Sequence, residues 1–364
     1  MIIAKAPGKL YIAGEYAVVE NQYPAVLVAL NQFVTCTIRP TSHLEGSITS
    51  HQYENMGLSW RRNGDQMIID RRDNPFVYIL SAISVTEKYA KALHKPLGVY
   101  DLTIDSQLDS DSGKKYGLGS SAAVTVATVK ALLNYYEIPA SKEMIFKLAS
   151  IAHFTIQGNG SLGDVAASVY GGWIAYRSFD RAWLANQRQR CTLVDLISQT
   201  WPGLEIESLI VPNELQLMIG WTGKPASTSH LVDKIDAFRQ IHPEQYQEFL
   251  ENSRQCVERM VEGFHQQDIA TIQNELRNNR LLLQSLAIQS EVQIETPLLQ
   301  QLCQIAEQFK GAAKTSGAGG GDCGIAILSH KKDRSRLTAA WQAAGIEPLN
   351  LAIHYVDEVI SESV

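Results

Sequence analysis

The stretch KKYGLGSSAAV, residues 114 to 124, limits what this chain can fold into more than any other. Gly117, Gly119 and the pair Ser120 and Ser121 come directly before the apolar run AAVTVATVKALL, whose small residues suit a buried helix. The first N–H groups of a helix lack partners within it, and the helix dipole adds partial positive charge there. Glycines let the backbone approach a bound group, while a serine caps the helix or turns its hydroxyl to a phosphate or a magnesium ion. The stretch predicts either an anion-binding loop or an ordinary capped turn.

Two common nucleotide-binding motifs do not fit the opening stretch. The pattern G-x-x-x-x-G-K-[ST] does not occur in the chain, and no third glycine follows Gly117 and Gly119 at the spacing of a dinucleotide fingerprint. Two other segments are rich in glycine, KAPGKLYIAGEYAVV near the N-terminus and KTSGAGGGDCGIAI near the C-terminus. The second has more glycines before its strand than an ordinary turn needs. Together, the three segments favour an anion-binding site over three unrelated turns.

Composition and charge indicate the class of protein. The 364 residues are 45% hydrophobic and 19% charged, which is typical of a soluble globular protein. The net charge of -6, with scattered lysines and arginines, predicts neither nucleic acid nor a membrane as a partner. Five distant cysteines without a C-x-x-C pair predict neither disulfides nor zinc and favour a reduced, cytoplasmic setting. Lys5, Lys9 and Glu15 interrupt the apolar N-terminus, which argues against a signal peptide or a membrane span.

The order of the predicted elements indicates an α+β protein in two lobes. Periodicity in the first part predicts strands over residues 2–13 and 25–38, and helices over 75–93, 120–136 and 141–157. The second part predicts a strand at 215–221, amphipathic helices across 229–285, a helix after Thr296-Pro297, the strand GIAIL, a helix over 332–344 and the strand LNLAIHYV. The break Trp201-Pro202-Gly203 places a domain boundary between 1–200 and 201–364.

Taken in order, the three glycine-rich segments resemble the motifs of the GHMP kinases, the family of galactokinase, homoserine kinase, mevalonate kinase and phosphomevalonate kinase. The resemblance extends along nearly the whole chain and includes NGSLGDVAASVYGGWIAYRSFDR and GWTGKPASTSHLV. It implies the GHMP kinase two-lobe α+β fold, with a ribosomal-protein-S5-like N-terminal domain and a ferredoxin-like C-terminal domain. It is greatest to the branch of the family whose acceptor is phosphomevalonate. The implied reaction converts (R)-5-phosphomevalonate to (R)-5-diphosphomevalonate with ATP and Mg²⁺.

The resemblance implies catalytic roles for Lys9, near the transferred phosphoryl group, and for Asp164, beside the reacting centre. Without the family resemblance, a lysine in an apolar strand is as often one that extends its ammonium group to water as one with a catalytic role. The plainer alternative for Asp164 is a charge that stabilises the N-terminus of a helix. An acceptor phosphate is mostly a dianion at neutral pH and needs no deprotonation. We therefore expect Asp164 to orient Lys9 and the substrate rather than to act as a base.

Two sets of binding residues follow from the same resemblance. For ATP it implies Glu15, Lys114, Tyr116, Gly117, Leu118, Gly119, Ser120 and Ser121, with Ser121 as the magnesium ligand. For phosphomevalonate it implies Lys9, Tyr16, Lys115, Ser161, Thr228, Ser229, Ser316, Gly317 and Ala318. The plainer alternatives are a solvated surface lysine for Lys115 and capping or surface groups for the hydroxyls.

Three departures from the family bear on the acceptor. His153 stands where alcohol-phosphorylating members often carry a magnesium-binding glutamate, Gly113 replaces a proline, and Tyr116 replaces a small residue. These differences favour a phosphate acceptor. The alternatives are a mevalonate kinase or another small-alcohol kinase of the family, and a catalytically silent metabolite-binding sensor on the same fold. His230 is a candidate base, but a single histidine at the start of a helix more often has a structural role. The sequence does not distinguish a monomer from a homodimer.

Overall fold

The computed structural model describes residues 1–52, 57–69, 75–109, 116–224 and 228–356, with the backbone alone at 228–230. The strands are β1 (Ile2–Ala13), β2 (Pro24–Pro40), β3 (Glu45–Ser50), β4 (Gly57–Asn63), β5 (Gln66–Ile69), β6 (Tyr100–Ser106), β7 (Trp173–Arg177), β8 (Glu205–Leu209), β9 (Gln216–Trp221), β10 (Ala312–Thr315), β11 (Cys323–Leu328) and β12 (Glu347–Leu349). The α-helices are α1 (Val77–Ala92), α2 (Ser120–Tyr135), α3 (Lys142–Gln157), α4 (Gly163–Tyr170), α5 (Arg181–Arg190), α6 (Leu193–Ser198), α7 (Thr228–Ile241), α8 (Pro243–His265), α9 (Ile269–Ser290), α10 (Pro297–Gln308) and α11 (Arg334–Ala343).

The first lobe is built on an eight-stranded sheet. Its order is β5-β4-β3-β6-β2-β7-β8, with β1 paired to β2. β2 is rich in valine and leucine, and its residues 25–30 are all buried because helices α2, α4 and α8 pack on it. Helix α2 packs against β1, α1 and α3, so its small apolar residues lie at the centre of the core. This packing fixes the start of α2 next to β1.

The second lobe is built on a four-stranded antiparallel sheet of order β10-β11-β9-β12. The chain runs from β9 through the helices α7 to α10 into β10 and β11, and then through α11 into β12. Numbered along the chain, the strands lie in the order 2-3-1-4, which is the β-α-β-β-α-β arrangement of ferredoxin-like domains. The predicted two-lobe α+β fold is confirmed.

The chain passes between the lobes at two places in the part that the structure describes. Strand β8 still pairs with β7, so the chain passes from the first sheet to the second between Leu209 and Gln216. The boundary at residue 200 stays a prediction. The C-terminal strap, residues 351–356, returns to the first lobe, where Ile353 bridges to Leu30 and Tyr355 to Gly171. The end of the described chain thereby contacts the lobe with which the chain begins.

Most predicted elements are confirmed, and the differences have local causes. The helical region 229–285 is three helices, because Pro243 begins α8 and the Asp268 side chain caps α9. The segment LNLAIHYV forms no continuous strand: β12 ends at Leu349, and the rest makes isolated bridges. In the part of the chain that is described, no helix is both long and apolar enough to cross a membrane.

Candidate active site

The loop before α2 has the backbone of an anion site. Gly117 and Gly119 have φ angles of +80° and +79°, a region that side chains disfavour. Gly119 is the N-cap residue of α2, and having no side chain it leaves the first N–H groups of the helix uncapped. We call residues 116–121 the phosphate loop. Its geometry favours the anion-binding prediction over the capped turn.

Lys9 lies along this loop. The β1 ladder shifts register between Pro7 and Lys9, and there the Lys9 N–H donates to the carbonyl of Leu118 at 2.9 Å. The side chain is 8% exposed, and its Nζ lies 3.5 Å from the Gly117 carbonyl oxygen. Among the described residues, no carboxylate oxygen lies within 4.0 Å of this Nζ. The loop therefore has a buried cation beside it that forms no ion pair with any described residue.

Asp164 lies in the first turn of α4, where its Oδ1 accepts a hydrogen bond from the Val165 N–H at 3.0 Å. Its charge helps raise the pKa values of Tyr11 and Tyr78, after the larger effect of their burial. No salt bridge within 4.0 Å joins Asp164 to Lys9, both of which are described. The expectation that Asp164 orients Lys9 is therefore not met by a direct ion pair in this structure.

Ser121, His153 and Tyr78 form a cluster below the phosphate loop. The His153 Nε2 lies 3.2 Å from the Ser121 Oγ, and its ring stacks on Tyr78 with centroids 5.0 Å apart. Burial lowers the pKa of His153, against the opposing charge of Asp164, so the ring is neutral at neutral pH. Sequence reasoning missed Tyr78, since its helical spacing in α1 is typical of any core residue.

The donors in this cluster fit a magnesium ion that arrives with phosphates. Mg²⁺ prefers oxygen ligands and is often held by one or two side chains together with substrate phosphates. Ser121 supplies a hydroxyl. The Asp164 carboxylate is near enough for its charge to raise the pKa values of His153 and Tyr78, against or in addition to the effect of burial. Within the described ranges no group of three or more His, Cys, Asp or Glu residues could hold a metal. A metal here would need most of its ligands from a bound nucleotide.

The third glycine loop, residues 316–322, is fastened to segment 11–16 across the two lobes. Three hydrogen bonds do this: Ser316 Oγ to the Tyr11 carbonyl (2.8 Å), Gly317 N–H to Glu15 Oε1 (3.2 Å), and Tyr16 hydroxyl to the Ala318 carbonyl (2.5 Å). The three loop residues predicted to close over the substrate are thus each fixed at one atom. Tyr16 has a φ of +64°, and burial raises the pKa of its hydroxyl.

Glu15 is buried beneath this contact. It is 3% exposed and forms an ion pair with Lys314 of β10, which is fully buried. Its predicted role in binding ATP stays a prediction, and its observed partners belong to the third glycine loop. Sequence reasoning missed Lys314, because the 299 positions that separate it from Glu15 leave no local signal.

Ser161 holds the turn that precedes α4. Its Oγ lies 2.7 Å from the Tyr11 hydroxyl and accepts a hydrogen bond from the Gly163 N–H at 3.2 Å. Its carbonyl accepts a hydrogen bond from the Tyr176 hydroxyl at 2.7 Å. The structure thereby places Ser161 next to Tyr11, whose ring lies 5.4 Å from the Lys9 Nζ. Tyr11 is a second neighbour of the site that the sequence did not single out.

The phosphate loop also contacts the second lobe. A Cβ on Gly117 would lie 2.5 Å from the Asp322 carboxylate carbon, so only glycine fits there without movement. The Cys323 thiol donates to the Tyr116 carbonyl at 3.2 Å, and the Tyr116 ring meets Trp221 edge-on at 5.0 Å. The bulky Tyr116 therefore has a packing partner in β9.

Several predicted residues are not described. Lys114, Lys115 and Gly113 lie outside the described residues. The backbones of Thr228, Ser229 and His230 begin α7, but their side chains are outside the description. The residues that the structure does bring together are Lys9, Ser120, Ser121, Asp164 and the phosphate-loop glycines, with Ser161 and the third glycine loop beside them.

Comparisons with known proteins agree with this geometry. Residues 78–172 match the family described as GHMP kinases N terminal domain, and residues 260–347 match GHMP kinases C terminal. The phosphomevalonate kinase of Streptomyces sp. (strain CL190) is 36% identical over 361 residues, covering 96% of each chain.

Solved structures give the same result. A Lin0012 protein from Listeria innocua is 38% identical, with a TM-score of 0.91 over 97% of this chain and 98% of that one. The Streptococcus pneumoniae phosphomevalonate kinase, solved in complex with phosphomevalonate and AMPPNP, is 30% identical, with a TM-score of 0.84 over 97% of this chain and 100% of that one. By whole-chain identity, by the matched domains and by the arrangement of its three glycine-rich segments, this chain belongs to the GHMP kinase family.

Proposed function

We propose that this chain phosphorylates (R)-5-phosphomevalonate with ATP to give (R)-5-diphosphomevalonate, a step of the mevalonate route to isoprenoids. The observation that carries the assignment is the whole-chain likeness to proteins named phosphomevalonate kinase, at 36% identity over 96% of this chain for the Streptomyces protein. The solved Streptococcus relative holds the acceptor and an ATP analogue in the same fold. The local geometry explains how such a reaction would run here.

The triphosphate of ATP would lie against the phosphate loop. The uncapped N-terminus of α2 and the glycine backbone present N–H groups and partial positive charge to it. Ser120 begins that helix, and Lys114, Tyr116 and Leu118 would complete the contact. Glu15 would not touch the triphosphate, and its contribution would be to hold the third glycine loop.

The chemical step needs charge neutralisation more than a base. An oxygen of the acceptor phosphate attacks the γ-phosphorus, the bond to the β–γ bridging oxygen breaks, and ADP leaves with the electron pair. The acceptor is mostly a dianion at neutral pH, so no proton has to be removed. Lys9, buried beside the phosphate loop, would offset the repulsion between the two phosphates.

Ser121 would hold a magnesium ion together with the phosphate oxygens of ATP. When bound, this ion supplies further neutralisation of the transferred phosphoryl group. Asp164 would orient the substrate from the first turn of α4. It would do so through its negative charge in the site and not through an ion pair with Lys9. The neutral ring of His153 positions the Ser121 hydroxyl from below.

The acceptor would bind between α4 and the third glycine loop. On one side lie Lys9 and Ser161, and on the other lie Ser316, Gly317 and Ala318, which segment 11–16 holds in place. Tyr16 would support this wall through its bond to the loop. Lys115, Thr228 and Ser229 complete the proposed set. We further propose a cytoplasmic location and lobes of residues 1–200 and 201–364.

The test is a panel of acceptors offered to the purified protein with ATP and magnesium: phosphomevalonate, mevalonate, homoserine and galactose. Coupled detection of ADP measures turnover, and ³¹P NMR identifies the product. We expect turnover with phosphomevalonate and a pair of coupled diphosphate signals. Preferred turnover of mevalonate would instead establish an alcohol kinase, and no ADP with any acceptor would favour the silent sensor.

Magnesium binding can be tested without turnover. Because the described residues offer few oxygen donors, we expect weak binding of Mn²⁺, a magnesium substitute, to the protein alone and tight binding once AMPPNP is present. Electron paramagnetic resonance of free Mn²⁺ measures both. Tight binding without nucleotide would contradict a site completed by phosphate oxygens, and Ser121→Ala should weaken the ternary complex.

A further inference from the structure

Two opposite charges meet in the interior where the lobes join. Glu15 follows β1 in the first lobe, Lys314 lies in β10 of the second, and the two side chains are 3% and 0% exposed. Removing two charges from water carries a large penalty, so a buried ion pair is weak evidence for stability. The Glu15 Oε2 finds no hydrogen-bond partner among the described residues. A pair chosen for stability alone would satisfy both oxygens.

What the pair holds is the backbone of the third glycine loop. Glu15 Oε1 accepts from the Lys314 ammonium and from the Gly317 N–H at once. The same ammonium donates to the Thr315 carbonyl at 2.6 Å, so the pair fixes the loop on both sides of Ser316. Gly317 has a φ of +78°, and open space surrounds the place where a Cβ would be. No neighbour packs against the side of Gly317 where a Cβ would be, so the hydrogen bond to Glu15 is one of the few contacts that orient its backbone.

A hydrogen bond beside the pair connects that loop to the strand that carries Lys9. Ser316 donates to the carbonyl of Tyr11, only two residues along β1 from Lys9. The third glycine loop and the Lys9 strand are therefore fastened to each other across the lobes. A displaced loop would change the position of groups beside the transferred phosphoryl group.

We propose that Glu15 and Lys314 are a positioning pair, whose task is to hold residues 316–318 in the geometry that phosphoryl transfer needs. The inference rests on the proposed function and deepens it, because it gives the buried charges a role in turnover rather than in binding ATP. Neither side chain would touch the substrate. A misplacement of about 1 Å at such a distance can lower turnover by roughly 10²-fold.

The test compares two double variants of equal burial. Glu15→Leu with Lys314→Met removes both charges and leaves the Gly317 N–H without an acceptor. Glu15→Gln with Lys314→Met also removes both charges, but its amide oxygen can still accept from Gly317. Both doubles should unfold near the wild-type Tm, because no charge is left buried alone. We expect turnover at saturating substrate to fall roughly tenfold or more in the Leu variant, with the Gln variant closer to wild type and KM for ATP little changed in both.

The single variant Lys314→Met has a matched control elsewhere. Arg62 and Glu87 form another buried ion pair, with side chains 10% and 7% exposed, in contact with Tyr100 and Tyr136 rather than with the phosphate loop. Lys314→Met and Arg62→Met should both lower Tm, but only Lys314→Met should lower turnover per folded molecule. Equal turnover of the Lys314→Met and Arg62→Met proteins would overturn the proposal. It would also be overturned if the double variant with Glu15→Leu and Lys314→Met had wild-type turnover as well as a wild-type Tm.

Hydrogen exchange separates this inference from the proposed function. The peptide that covers residues 312–322 should exchange faster in the Leu variant than in the Gln variant, whatever the acceptor is. Faster exchange together with a wild-type protein that does not use phosphomevalonate would overturn the substrate assignment and keep the positioning pair. Unchanged exchange in a wild-type protein that does turn over phosphomevalonate would overturn the positioning pair alone.

Discussion

Lys9 is buried beside the phosphate loop, and no described carboxylate pairs with its charge. Its N–H is bound to Leu118, its Nζ is near the Gly117 carbonyl, and no carboxylate among the described residues pairs with it. Burying a cation without a counterion is unfavourable unless a ligand supplies the negative charge. The described residues around Lys9 therefore leave room for the negative charge that two phosphates would bring.

Replacing Lys9 tests this directly. Lys9→Ala should lower kcat by roughly 10²-fold or more, because two phosphates would then approach without the cation between them. The Tm should stay the same or rise, since a buried charge is lost. Steady-state kinetics and thermal unfolding measure the two effects.

Lys5 provides the control for Lys9 on the same strand. It is exposed, and its Nζ lies 5.9 Å from the Phe33 ring, away from the phosphate loop. Lys5→Ala should leave kcat within about twofold of wild type, as expected of an exposed surface substitution. Near-normal turnover in a well-folded Lys9→Ala protein would remove Lys9 from the catalytic residues.

Asp164 can be tested as a base through pH. If the acceptor phosphate is the nucleophile, the acid limb of kcat follows that phosphate, near pH 6 or lower once cations hold the dianion. Asp164→Asn should lower kcat substantially and leave the shape of this limb unchanged. A base would behave otherwise: the variant would lose the limb together with nearly all turnover. The pH profiles of the two proteins distinguish orientation from proton abstraction.

Among single residues, the sequence motifs predicted the site residues that they contain. They missed the residues whose place in the site depends on partners far away in the sequence. Lys9 and Asp164 both belong to recognisable motifs. The structure places Lys9 beside the phosphate loop and Asp164 near His153. Tyr11, Tyr78 and Lys314 look like ordinary strand or helix residues in the sequence. Their relation to the site is set by tertiary contacts, such as the ring stacking of Tyr78 on His153, that no local pattern encodes.

Among the elements, the start of α2 makes a specific demand on its sequence. Gly119 has a φ of +79°, and a Cβ there would lie 2.8 Å from the Lys9 Cε. Gly119→Ala should therefore add backbone strain of about 1 kcal/mol and displace the Lys9 side chain as well. We expect kcat to fall at least tenfold, by the misplacement argument. Kinetics with a matched unfolding measurement would show both effects.

Gly64 is the matched glycine for that experiment. It lies in the turn between β4 and β5 with a φ of +59°, and nothing lies within 4 Å of the place where a Cβ would be. Gly64→Ala should carry the same strain of about 1 kcal/mol with no change in kcat. If both alanine variants lost turnover equally, the effect would be general strain rather than displacement of Lys9.

Helix α8 is tied to β8 by a histidine whose charge should make stability depend on pH. The His265 Nε2 lies 2.6 Å from Glu207, and this hydrogen bond raises the pKa of His265. The pair therefore stabilises the fold fully below the unfolded-state pKa, near 6.5, and the effect is lost as pH rises through the folded-state pKa. Both side chains are about half exposed, so the effect is ~0.2–1 kcal/mol.

The corresponding variant is His265→Gln. Its Tm should be lower than that of wild type at pH 6 and should approach it at pH 8.5, measured at equal ionic strength. Glu207→Gln should show the same pattern, because it removes the other partner. A Tm difference that is the same at both pH values would mean that the charge of His265 contributes nothing.

Element types were predictable from periodicity, whereas some boundaries depended on capping and tertiary pairing. The predicted strand over 2–13 and the helix from residue 120 match β1 and α2 closely. The region 180–212 had no clear periodicity, and it contains two short helices that begin at side-chain caps of Asp180 and Thr192. Caps of this kind involve single residues, so they are weaker signals than a repeated apolar pattern.

For the whole molecule, the C-terminal strap should contribute to the stability of the first lobe. The His354 N–H donates to the Ala29 carbonyl at 3.0 Å, its carbonyl accepts from the Gly172 N–H at 2.7 Å, and its ring packs edge-on against Phe33. A chain that ends at Asn350 should have a lower Tm than a chain that ends at Val356, because these contacts are removed. Equal Tm values would show that the strap is dispensable.

The strap also has a consequence for synthesis in the cell. β2 and the turn before β7 are translated well before their backbone partners at residues 352–355. At about 5–20 residues per second, roughly 15–65 s pass between the synthesis of Leu30 and that of Ile353, and roughly 10–40 s between Gly171 and Tyr355. During that time, backbone groups near Leu30 and Gly171 in the nascent first lobe lack their hydrogen-bond partners. A chaperone that binds extended backbone would bind at this edge.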